Sequence, residues 1–208
     1  MVDFIEKVAG ATEFWSGLIG AVVGGLFTLW GTLIEGRREH KNKHEEQLAK
    51  KLNILKGIKA EIDLVSDLYN QRMESHIANY RPGQVLDVYF LITQNNFVFY
   101  ESNAEFISEL DEKVLKDVVK FYITAKSLID TFITNNTNIN EIKNIALKIA
   151  EEPNNQSYKG LLNAYTSIAS QYAPMIIQIH NETMTCKDQV ITSIIQEISK
   201  LECNSRIR

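Results

Sequence analysis

The chain has 208 residues, 45% hydrophobic and 23% charged, which allows one or two packed units. A formal charge of -4 argues against generic nucleic-acid binding by the bulk of the chain, and no direct DNA binding is expected. Cys186 and Cys203 lie far apart without metal-like spacing and read as reduced thiols, while only three prolines favour long helices.

The leader "MVDFIEKVAGATE", residues 1–13, carries Asp3, Glu6 and Glu13 against Lys7. From Phe14 to Ile34 follow 21 residues without a charge. As a helix this run matches a bilayer core of roughly 30 Å, so residues 14–35 are expected to form a transmembrane helix. A cleaved signal peptide would have a basic start and a shorter apolar run, so the segment is expected to be retained. Arg37, Arg38, Lys41 and Lys43 then oppose only Glu39. By the positive-inside rule these membrane-surface cations place the tail outside and residues 36–208 in the cytoplasm. Trp15 and Trp30 stand towards the ends of the run, where interfacial indoles belong.

Small residues within the run are ordered. Ser16, Gly20, Gly24, Thr28 and Thr32 recur every four positions along one helical ridge, and Gly17, Ala21 and Gly25 form a second ridge beside it. Such ridges let helix backbones approach closely in lipid, where packing replaces hydrophobic drive. They point to self-association, with glycine's general abundance in membrane helices as the plain alternative. The expected partners are further copies of the chain and the lipid bilayer.

Beyond Gly36, read as a hinge, Leu48, Leu52, Leu55, Ile58, Ile62, Val65 and Tyr69 recur three or four apart and predict an amphipathic helix over about 37–80. Lys59 and Ser66 would fall in a heptad seam, which favours a bundle over a coiled coil. "YRPGQV" ends the helix. "VLDVYFLITQNNFVFY" reads as a buried helix rather than a strand, because no partner strand is evident. "SNAE", Ser102 to Glu105, has the form of a capping box, and Asp111 is placed to cap the next helix. There Val114, Leu115, Val118, Val119, Phe121, Tyr122, Leu128 and Ile129 supply an apolar face. "TNNTNIN" reads as a polar loop, with a helix after it over about 140–151. Ser157 is expected to start a last helix reaching about Leu201, kinked near Pro174. The fold class expected is all-α: a single N-terminal transmembrane helix followed by a cytosolic bundle with long helices.

No G-x-x-x-x-G-K-[ST], G-x-G-x-x-G, H-E-x-x-H or C-x-x-C pattern occurs, which weighs against an enzyme and implies no cofactor and no metal. His40 and His44 stand one helical turn apart beside Glu39 and Glu45, a metal-like spacing whose bland reading is a solvated cluster at the headgroups. Arg38 and Arg37 have R-x5-H and R-x6-H spacings to His44, yet arginine there is explained by orientation and anionic lipid. Arg72 and His76 lie four apart between Tyr69 and Tyr80, so a guanidinium holding phosphate beside an imidazole moving a proton would make a candidate catalytic pair. The alternative is structural satisfaction by neighbours. His180 has no arginine near it in sequence and reads as a core or interface histidine.

The membrane helix with its basic exit, the cytosolic bundle and the central "NNFVFYESNAEFISELDEKVLKDVVKFYITAKSLIDTF" together resemble the small membrane-anchored, HEPN-like accessory proteins of type VI-B CRISPR systems, within a broader group of bacterial single-pass helical proteins. The resemblance implies a homo-oligomeric pore in the inner membrane, acting in antiviral defence downstream of an RNA-guided nuclease. HEPN ribonucleases separate arginine and histidine by four to six residues; Arg72 and His76 have three between them, a departure that weakens the nuclease reading. A membrane-tethered ribonuclease and a membrane-bound scaffold or sensor recruiting a cytosolic partner are the alternative functions.

Overall fold

Apolar residues at helical spacing dictate the architecture. A computed structural model describes the backbone over residues 2–91 and 97–206, and side chains at Thr28, Glu35 and over residues 42–91 and 97–203. Five helices follow in order: α1 (Val2–Asn79), α2 (Val98–Ser102), α3 (Ala104–Ile107), α4 (Glu112–Glu151) and α5 (Gln156–Arg206). No strand occurs among the described residues, as the all-α expectation requires.

The chain divides into two compact units, Met1–Lys50 and Lys51–Arg208. The first is the leading part of α1. Its helix passes through Gly36 without interruption, which corrects the expected hinge. One glycine costs about 1 kcal/mol in a helix interior, too little to break a long run of good helix formers. Among the described residues no helix is long and apolar enough to cross a membrane. The side chains of the apolar run, apart from Thr28, lie outside the described residues.

In the second unit α1, α4 and α5 share a core. Leu55, Ile58, Ile62, Tyr69 and Met73 of α1 are buried at the predicted period, as are Val114, Val118, Phe121, Tyr122, Leu128 and Phe132 of α4. α5 contributes Ala169, Ala173, Ile176, Val190 and Ile194. Each large side chain so buried stabilises the fold by about 1.5–3 kcal/mol. Ser66, the polar residue in the would-be seam, is buried here too. Glu197 of α5, also buried, sits 3.8 Å from Lys51 and 3.4 Å from Lys200.

α1 ends at Asn79, where the sequence places its end, and the "YRPGQV" turn follows with Gly83 at φ +85°, a left-handed conformation that suits glycine. Other local expectations are corrected. Residues 85–91 are neither helix nor strand. Their backbone groups are satisfied by amides of α4: Asn135 Nδ2 donates to the carbonyls of Leu86 and Val88, both at 3.1 Å. Asn136 accepts from Phe90 N at 3.1 Å and donates to Phe90 O at 2.7 Å. The "TNNTNIN" stretch is therefore no loop but the middle of the 40-residue α4. Thr134 and Thr137 tolerate it because their hydroxyls bond back to the carbonyls of Asp130 and Ile133.

The "SNAE" capping box does not form. Ser102 ends α2, α3 opens at Ala104, and Asn103 spends its amide on Phe99 O at 2.8 Å. Asp111 does cap α4, accepting from Lys113 N at 3.1 Å. At the start of α5, Asn155 rather than Ser157 supplies the cap, its Oδ1 accepting from Ser157 N at 3.1 Å. Pro174 lies inside that helix. Cys186 is a buried free thiol and Cys203 an exposed one.

Candidate functional site

Arg72 and His76 occupy the last turns of α1, four residues apart as the sequence implies, and both are exposed. They line different cavities. Arg72 lines a cavity of about 370 Å³ with residues of α4 and α5, whereas His76 lines a smaller one of about 230 Å³ with Asn79, Tyr80 and residues 84–87. The geometry thus offers a cation beside an apolar space and, separately, an imidazole beside a polar turn. A concerted transfer of a proton to or from a phosphate held by Arg72 needs both groups on one substrate.

The larger cavity is built by helical register. Val65, Ser66, Leu68, Tyr69 and Arg72 face it from α1, Phe121, Ala125, Leu128 and Ile129 from α4, and Thr183 and Met184 from α5. Phe90, Leu91 and Phe97 complete the wall. Arg72 is the one charged residue among these. The Thr183 hydroxyl donates to Ile179 O at 2.8 Å, and the Tyr69 hydroxyl hydrogen-bonds His180 Nδ1 at 2.9 Å. The Ser66 hydroxyl is buried with no hydrogen-bond partner among the described residues.

His180, read as a core or interface histidine, is half-buried. Its ring lies 5.6 Å from that of Tyr69, and burial holds its pKa below the ordinary histidine value. Burial likewise pushes the Tyr69 phenol well above its usual range. Neither group is tuned to donate or accept a proton near neutrality, because desolvation favours the neutral form of each.

One polar centre was not legible as such in sequence. Glu61 of α1 accepts from Phe99 N at 2.6 Å, from Tyr100 N at 3.1 Å and from the Tyr122 hydroxyl at 2.6 Å. Those amides are the orphan donors of the first turn of α2, whose own N-cap residue, Phe97, provides no side-chain bond. A carboxylate 38 residues upstream therefore caps the helix, favoured by its dipole. Tyr100 stacks on Tyr122 with centroids 3.8 Å apart. Burial first, then the bond to Glu61 and its charge, hold the Tyr122 phenol far above its usual range. This cluster fixes α2 on the bundle and has no exposed reactive group.

Of the remaining predicted residues, Thr28 and Lys43 are exposed. The side chains of Ser16, Gly17, Gly20, Ala21, Gly24, Gly25 and Thr32, and of Arg37, Arg38 and Lys41, lie outside the described residues, as does that of His40. Among the described residues no three histidine, cysteine or acidic side chains converge as metal ligands. The chain matches no known family, no curated protein and no solved structure.

Proposed function

We propose that this protein is a membrane-embedded homo-oligomeric effector that permeabilises the bacterial inner membrane. The observation that carries the reading is the coincidence, within residues 14–34, of bilayer length, absence of charge and two ridges of small residues. Support comes from the backbone, which is helical throughout that run, so a spacing of four does correspond to one face. The basic cluster Arg37, Arg38, Lys41 and Lys43 gives the orientation: tail outside, bundle cytoplasmic.

Assembly of such helices through Gly20 and Gly24 encloses a narrow lumen lined by hydroxyls and glycine backbone. The resemblance to CRISPR-linked accessory proteins supplies the setting, antiviral defence triggered by an upstream RNA-guided nuclease. The ribonuclease and scaffold readings draw on no comparable observation, since Arg72 and His76 line separate cavities. Dye release from vesicles holding the full-length protein tests the proposal. Wild type should release dye and Gly20→Leu/Gly24→Leu should hold it at the background of empty vesicles; equal release from both would refute assembly through the ridge.

A further inference from the structure

We propose that the cavity bounded by α1, α4 and α5 binds a medium-chain amphipathic carboxylate, its head on Arg72 and its chain against Phe90, Phe97, Phe121, Leu128 and Met184. Four observations converge on that chemistry, and none depends on the membrane reading above.

Size comes first. About 370 Å³ falls at the lower end of the range of small-molecule sites, roughly 300–1,000 Å³, and is several times what a single water needs. Second is the wall: ten of the fourteen described residues that line the cavity are apolar, a surface against which a hydrocarbon chain gains dispersion contacts. Met184 is unbranched and adapts its rotamer to a flexible chain.

Third is the count of polar groups. Of the four polar side chains that line the cavity among the described residues, Thr183 and Tyr69 already spend their hydroxyls on Ile179 O and His180. That leaves the Arg72 guanidinium and the buried Ser66 hydroxyl. Fourth is charge. With Arg72 as the lone ion of the lining, the complement is a single anion rather than a phosphate cluster or a cation. A guanidinium meets a carboxylate through two parallel hydrogen bonds, and its exposure at this position leaves it reachable from solvent while the chain lies inside.

The test uses the full-length protein in mild detergent, titrated calorimetrically with decanoate, decanol and decyltrimethylammonium. The three share a ten-carbon chain and differ in head group, and matched titrations into protein-free detergent subtract the heat of partition into micelles. Saturable decanoate heat, absent for the alcohol and the cation, is expected. Arg72→Gln, an exposed substitution that spares the core, should weaken decanoate on the order of tenfold, the loss of one charge-assisted pair at a partly solvated site. Ala125→Leu, which fills the space from α4, should abolish binding while circular dichroism reports retained helix. Equal binding of decanol and decanoate would overturn the proposal. So would undiminished decanoate binding by Arg72→Gln, whatever the second variant does.

Discussion

Residues 14–34 contain no charge and two rows of small side chains, whereas residues 51–206 mix charged and apolar positions at ordinary helical spacing. In the first region the sequence itself is unusual: small residues recur at every fourth position, and the glycines among them lower helix propensity and offer no side chain to a core. In the second the sequence is commonplace and the specificity appears only on folding, in the Asn135 clamp, the Glu61 cap and the cavity beside Arg72. The pattern of the first region is specified by composition along one helix face. A bundle is specified by pairs of residues distant in the chain.

That contrast predicts separable defects. The largest concerns the run: Gly20→Leu/Gly24→Leu should take vesicle leakage to background while urea unfolding of the bundle stays unchanged. Next is Asn135→Leu, which removes the amide donor from the Leu86 and Val88 carbonyls; Leu86 O keeps its bond from Val88 N, so Val88 O is the buried acceptor left without a donor. That should cost about 1–3 kcal/mol in urea unfolding, with subunit number unaltered under native conditions.

Smaller is Gly57→Ala. A Cβ at Gly57 would stand 2.1–2.7 Å from the Phe99 ring, and the ring is held because Phe99 N bonds to Glu61. Overpacking of about 1–3 kcal/mol, offset by about 1 kcal/mol of helix propensity, predicts a net loss of roughly 1 kcal/mol. The smallest effect is on pH dependence. Burial lowers the His180 pKa below 6.5, so the unfolded chain takes up its proton first. Stability is then full above 6.5 and declines as pH falls through 6.5 towards the folded pKa. His180→Gln should flatten that limb of the pH–stability curve; an unchanged slope would mean that His180 is not the group responsible.

Much of the bundle was legible because burial follows period: Leu55, Ile58, Ile62 and Tyr69 all fall where a repeat of three or four places them. Asp111 was legible because capping is local. The failures are non-local. "TNNTNIN" reads as a loop when its polarity is taken alone, and it is a helix because two of its amides bond a segment more than 45 residues away. "VLDVYF" reads as regular structure because nothing local shows that its amides and carbonyls will meet side chains instead of a ladder. Arg72 was visible as a cation near a histidine, but the apolar space beside it is assembled from α1, α4 and α5 together. The two ridges are a pattern of the sequence alone, since a spacing of four needs only one helix, and the backbone there is helical.

Counting subunits by mass photometry of the full-length protein in mild detergent, beside Gly20→Leu/Gly24→Leu, tests the central claim most directly. The account predicts a discrete oligomer for the wild-type chain and a monomer for the variant. A wild-type monomer, or an oligomer of the same size in both, would contradict assembly through the small-residue ridge.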